Sequence, residues 1–217
     1  MELFLLFLSK ALPGLLVSLE VTIGVVAIGI PLGLTLALGL LNTSIPVRVF
    51  ALVAVEICRG IPALVMLYIV YFGLPQFEVL VDAIPSASIA LGISMGGFLA
   101  DVFKAGLLAV PMGQREASVA LGLSKPSAFV RVILPQTIRI VTPPVLGYVI
   151  SYFQGTALAY TIAVPELMSR SYSVAADNFR FLEVLTMAGL LYAIICIPSA
   201  RLVNRLSSGG EFKSKQP

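Results

Sequence analysis

Charge-free apolar stretches alternate with short polar ones along the whole chain. Five stand out, running roughly from Leu15 to Leu41, Val49 to Leu74, Ser86 to Leu108, Thr142 to Thr161 and Leu182 to Ala200. The clearest is Val21 to Leu41, which holds no charge and has Thr22 and Thr35 as its only strongly polar side chains. About 20 apolar residues cross a hydrocarbon core as a helix. In lipid every backbone N–H needs an internal partner, which a helix supplies and an open strand does not. The pattern predicts an all-α membrane protein: one domain over residues 1–217 with about five transmembrane helices. Ahead of the first span, residues 1–13 are expected to form a short apolar helix at an interface, with Glu2 where a cleaved leader would be basic. Gly209 to Pro217 is polar and expected to lack order.

Composition agrees with this. Hydrophobic residues make up 59% of the chain and charged ones 12%, with a mean hydropathy of +1.02. A soluble domain is about a quarter charged, so a solvated surface could not be built from this set. The net charge of +3 is too small to suggest a nucleic-acid partner. No histidine is present, which removes the commonest metal ligand and general base. No metal site and no catalytic residues are expected. Cys58 and Cys196 each lie within an apolar stretch and read as small hydrophobes.

Basic residues set the orientation. With five spans, one side receives Arg48, Lys104, Arg115, Lys125, Arg131, Arg139, Arg201, Arg205, Lys213 and Lys215. The other receives only Lys10, Arg170 and Arg180, together with the acidic Glu78, Asp82, Glu166 and Asp177. The richly basic side is expected to be cytoplasmic, which puts the N-terminus outside and the C-terminus inside.

The longest loop on that side, residues 111–140, is the most informative part of the chain. It reads Glu116-Ala117-Ser118, three residues, Gly122, nine residues, then Val132-Ile133-Leu134-Pro135. Two short helices are expected across the membrane surface. Glu116 lies early in the first, where a negative charge suits the helix dipole. Gly122 ends it in the left-handed conformation. Ser124 caps the second, Pro126 fits its first turn, and Pro135 breaks it before the fourth span.

That spacing resembles the E-A-A-x3-G-x9-I-x-L-P signature of permease subunits of bacterial ABC importers, with Ser118 for the second Ala and Val132 for Ile. Two further segments are similar to the polar amino-acid uptake branch. Arg59-Gly60-Ile61-Pro62-Ala63-Leu64-Val65 with Tyr71-Phe72-Gly73-Leu74-Pro75 matches its R-G-T-P-L-L-V and Y-F-G-L-P stretch, and Ala163-Val164-Pro165-Glu166-Leu167 matches its G-V-P-E-L. The similarity covers residues 14 to 206. It implies the type I importer fold, an inner-membrane location and a division of labour. Residues 111–140 would be the coupling loop, with Glu116, Ala117, Ser118, Gly122, Leu134 and Pro135 engaging a separate ATPase dimer that holds ATP and Mg. A second permease subunit, identical or paralogous, would complete the pore, and an extracytoplasmic solute-binding protein would deliver a small polar solute. The absence of any G-x-x-x-x-G-K-[ST] phosphate loop independently excludes an ATPase site of that kind in this chain.

Polar groups within the spans are costly and each needs a reason. Glu56 and Arg59 stand i, i+3 and can pair, with Gly60 and Pro62 behind them and a kink expected at Pro62. Asp101 either pairs with Lys104 one turn on or contacts substrate through its carboxylate. Gln154 and Thr156 fall where the family often reads L-K-D-T-S-L. Here the segment is Phe153-Gln154-Gly155-Thr156-Ala157-Leu158, so both charged positions are neutral, which suits a zwitterion or compatible solute better than a strongly charged amino acid. Gly29, Gly33, Gly92 and Gly96 allow close helix approach, either within the chain or at a dimer face. An ion-coupled secondary carrier is the alternative function. It would call for repeated halves or a relay of buried carboxylates.

Overall fold

The computed structural model describes residues 2–209, with side chains through residue 205. Lys213, Lys215 and the tail from residue 210 onward lie outside the described residues. Among the described residues all regular structure is helical: α1 (Glu2–Leu40), α2 (Ile45–Gly60), α3 (Ala63–Tyr68), α4 (Ala83–Ala109), α5 (Met112–Ala120), α6 (Lys125–Ala128), α7 (Leu134–Gly155), α8 (Leu167–Asn178) and α9 (Phe181–Gly209). By length and composition four helical stretches can cross a membrane, and a bent pair, Ile45–Gly60 with Ala63–Phe77, makes up to five.

The core is the contact between α1 and α4. A Cβ on Gly33 would come within 2.7 Å of the Leu99 Cβ, and one on Gly29 within 3.0 Å of the Met95 Cβ. Conversely, a Cβ on Gly92 would meet Ile28 at 2.8 Å and one on Gly96 would meet Leu32 at 2.7 Å. The four glycines therefore serve packing within the chain. Residue numbers rise together along this contact, so α1 and α4 run parallel. Helix α7 runs the other way, with Gly106 against Val141 and Ser94 against Tyr152, while the end of α2 lies on Gly97 through Cys58. Lipid tails are as apolar as leucine, so spans associate through close packing, which small residues permit.

Two expectations change, and the kink expected at Pro62 is borne out. Residues 2–13 form no separate interfacial helix; they are the first turns of α1, a 39-residue helix about 58 Å long. Phe7 and Ala11 are buried with Leu167, Val174 and Ala175 of α8 and Val184 and Ala188 of α9, and the helix continues through Pro13. Pro62 produces a break, with α2 and the segment after it meeting at 98°. Pro135 breaks nothing. A π turn over Phe129–Ile133 precedes it, and Pro135 occupies the first turn of α7, where a missing N–H costs little. One apolar helical stretch therefore runs from Lys125 to Ile162.

At the opposite end of the bundle from the 111–140 loop, one carboxylate ties three helices together. Glu166 is 0% exposed. It caps α8 by accepting from the Met168 and Ser169 N–H groups, both at 2.7 Å, and takes further bonds from the Ser18 hydroxyl of α1 and the Tyr192 hydroxyl of α9. Burial pushes this carboxyl above its ordinary range, while the two backbone bonds and the hydroxyls pull against that rise. Glu166 is thus a buried joint rather than a solvated loop charge.

Two stability predictions follow from this packing. Gly33→Val should destabilise the chain by about 1–3 kcal/mol through overpacking against α4. Gly189→Ala, where a Cβ meets nothing within 4 Å, should leave stability unchanged or raise it by up to about 1 kcal/mol. Thermal unfolding of both in detergent checks this, and equal melting points for the two would contradict it. Glu166→Ala should cost about 2–4 kcal/mol, because it strands several buried donors at once. Glu166→Gln should cost less, since one acceptor survives.

Candidate functional site

The loop at the basic end folds as a bent knob. Helix α5 closes with a Schellman motif: the Leu123 N–H donates to the Ser118 carbonyl at 3.1 Å and the Gly122 N–H to the Val119 carbonyl at 2.9 Å. Gly122 has φ +71°, which an L residue adopts only with strain, and no atom would obstruct a Cβ there. Its requirement is conformational. Ser124 stands at the N-terminal boundary of α6 with extended backbone, but its side chain makes no capping bond; Pro126 fills the first turn as expected.

Each residue of the motif has a distinct position. Ser118 is buried, and its hydroxyl donates to the Gln114 carbonyl at 2.7 Å, so a small side chain is needed. Glu116, Ala117 and Gly122 are exposed. Around them Met112, Val119, Leu121 and Val130 also face outward, with Leu121 79% exposed. Leu134 and Pro135 begin α7. The knob is anchored on two sides: the Arg115 guanidinium donates to the Leu107 carbonyl near the end of α4 at 2.9 Å, and the Gln136 amide of α7 donates to Gln114 at 3.2 Å. A push on α5 therefore reaches α4 and α7 together.

Deeper in the bundle a cavity of about 400 Å³ opens at the break in the second span. Ile61, Pro62 and Ala63 supply one wall from the break itself. Irregular backbone is tolerated at this depth where it lines a cavity. Helix α4 contributes Leu91, Ser94 and Phe98, and α7 contributes Tyr148, Ser151, Tyr152 and Gly155, each set at helical spacing. The two faces are joined across the cavity: the Tyr152 hydroxyl donates to Ser94 at 2.9 Å, and the Tyr148 and Phe98 rings stack with centroids 5.7 Å apart.

Arg59 borders the cavity and bridges two carboxylates, Glu56 on its own helix and Asp101 on α4. The expected Glu56–Arg59 pair forms. The ion pair of Asp101 is made with Arg59, across the helices, in place of Lys104. Gly97 allows this, because a Cβ there would lie 3.0 Å from the Arg59 backbone nitrogen. Gly60, next to Arg59, meets no neighbour that a Cβ would touch.

None of the three residues expected along the substrate pathway lines the cavity. Asp101 lies one turn beyond Phe98 on the same face of α4, outside the cavity wall. Gln154 is exposed and lies on the side of α7 toward Cys196 of α9. Thr156 is buried and its hydroxyl donates to the Phe153 carbonyl at 2.7 Å. The lining residues Ser94, Phe98, Tyr148, Ser151 and Tyr152 were not singled out from sequence. The signal available for them was the clustering of aromatic and hydroxyl side chains at helical spacing on α4 and α7.

Comparison with known proteins fits this geometry. The family described as "Binding-protein-dependent transport system inner membrane component" matches residues 29–209. The L-cystine transport system permease protein TcyB of Bacillus subtilis is 35% identical over 184 residues, covering 84% of this chain and 79% of that protein. The glutamine transport system permease protein GlnP of Escherichia coli is 33% identical over 158 residues, covering 72% of each. A crystal structure of an amino acid ABC transporter superposes with a TM-score of 0.81 at 28% identity, covering 94% of both chains. An inward-facing MetNI methionine ABC transporter shares the fold with a TM-score of 0.68 at 19% identity, over 95% of this chain and 97% of that one. Nothing in these matches supports an ion-coupled carrier. With its exposed E-A-S knob, its broken second span and a family match over most of its length, the chain belongs to the binding-protein-dependent transport system inner membrane components and is a multi-pass permease subunit of an ABC importer.

Proposed function

We propose that this subunit pairs with a second permease, identical or paralogous, to carry an amino acid or an amino-acid-like compatible solute into the cell. A separate ATPase dimer, binding ATP and Mg, drives it, and an extracytoplasmic solute-binding protein supplies the solute. The N-terminus lies outside and the C-terminus in the cytoplasm. The observation that carries this reading is the knob: an apolar, bent surface at the basic end of the bundle, braced on α4 and α7. Isolated in water such a surface is costly, and a groove on the ATPase covers it. Glu116 engages a cationic or donor group there, and Gly122 provides the turn that lets the knob seat.

The relatives' names support the solute class. They specify L-cystine, arginine and glutamine, which share an α-carboxylate and an α-ammonium but differ in side-chain charge. The cavity favours a net-neutral member. Its one guanidinium already serves Glu56 and Asp101, and the remaining polar lining is hydroxyl groups beside aromatic rings. Asp101, just outside the cavity, is placed to meet an ammonium as solute leaves toward the basic end.

Gly122→Asp and Glu116→Lys should insert normally in the membrane yet uncouple ATP hydrolysis from uptake. The check is to measure both rates in vesicles containing the assembled transporter, and normal uptake by either variant contradicts the coupling role. Within the cavity, Tyr152→Phe removes the bond to Ser94 and should raise the uptake KM about tenfold, equivalent to about 1.4 kcal/mol. Gln154→Ala should leave KM unchanged. Competition by neutral, cationic and anionic amino acids then reads the charge preference, and stronger competition by arginine or glutamate than by glutamine would overturn it.

A further inference from the structure

A second cavity, of about 340 Å³, lies far from the knob, between the first turns of α1 and the outer face of α8. It is lined by Leu6 and Lys10 of α1 and by Arg170, Ser173, Asp177 and Asn178 of α8, spaced so that each helix presents one face. Two cations and one carboxylate thus converge on a cleft in a protein poor in charge. Among the described residues the ion pairs join Arg59 to Glu56 and Asp101, and Arg180 to Glu183; Lys10, Arg170 and Asp177 take part in none. The position of Arg170 is built in. Its stem lies so close to α1 that a Cβ on Gly14 would come within 2.9 Å of the Arg170 Cγ.

The depth of the cleft is set by α9. Its apolar stretch begins at Phe181, and its first turns, through Val184 and Ala188, pack on Phe7 and Ala11, on either side of the level of Lys10. The cleft therefore lies level with the first turns of a helix long and apolar enough to cross a membrane. Apolar side chains border it: Leu6 in its wall is 41% exposed, and Phe179, next in the chain to the lining Asn178, is 89% exposed. A soluble anion has no use for such a rim, whereas acyl chains do.

We infer that the cleft between α1 and α8 binds the headgroup of an aminophospholipid, with the phosphate diester on Lys10 and Arg170 and the ammonium beside Asp177. The site carries one net positive charge, which suits a phosphate, and its carboxylate selects a headgroup that brings its own cation. A free zwitterionic amino acid offers the same pair of charges but no acyl chains, and the test separates these sources. The inference is independent of which solute is transported.

The intact transporter is reconstituted in nanodiscs of phosphatidylcholine doped with phosphatidylethanolamine or phosphatidylglycerol, and lipid retained after detergent extraction is measured by native mass spectrometry. Wild type should retain roughly one phosphatidylethanolamine per copy of this chain, and Lys10→Gln with Arg170→Gln should lower retention about tenfold or more. Asp177→Asn should keep a bound lipid but shift it from phosphatidylethanolamine toward phosphatidylglycerol. Unchanged retention in the double variant overturns the inference. So does displacement of the lipid by millimolar free glutamine, which would identify a solute site. Loss of stimulation by the solute-binding protein with retention intact would overturn it too, and would make the cleft a protein-docking face.

Discussion

The close approach of α1 and α4 is the contact on which the rest of the bundle depends. Between two helices in lipid there is no water to expel, so attraction comes from backbones brought near enough to interdigitate. Glycines at 29, 33, 92 and 96 provide that nearness, and each receives a side chain from the opposite helix. The contact leaves α4 central and largely buried. Its other faces then become mounting surfaces: Gly97 receives the end of α2, Gly106 receives α7, and the carbonyl of Leu107 receives Arg115 from the knob.

Because α4 is shared, the working parts are joined mechanically. The cavity has one wall on α4, one on α7 and one at the break after Gly60. The knob is anchored to the ends of those same two helices. The knob therefore contacts the same two helices that carry Ser94, Phe98, Tyr148 and Tyr152. The Arg59–Asp101 pair crosses from the broken span to α4 one turn away, so movement of that span is felt at the cavity floor. The N-terminal half of α1 is held separately, by Glu166 bonding to Ser18 and Tyr192.

Much of the 111–140 knob was legible in the sequence because its determinants are local. Gly122 takes a left-handed turn wherever helix α5 must end, and the Schellman bonds involve only residues within five positions of one another. Pro126 at the start of α6 is local in the same sense. Pro135 was misread since a proline's effect depends on what precedes it: a π turn places it in a first helical turn, and nothing in the spacing announces that turn. The N-terminal segment was misread for a different reason. Its apolar face fits an interface or a partner helix equally well, and only the burial of Phe7 and Ala11 against α8 and α9 decides between them.

The sequence by itself determined that the chain spans a membrane and that the 111–140 loop turns at Gly122, since these rest on apolar run length and a short-range turn. Only the tertiary structure decided which side chains face the cavity, that Arg59 joins Asp101 across two helices, and that Glu166 is a buried joint. Those outcomes depend on how helices rotate and approach one another, over separations of 42 residues for Arg59 and Asp101 and 148 for Ser18 and Glu166. A period of 3.6 residues tells which positions share a face, but the partner of that face is chosen by packing.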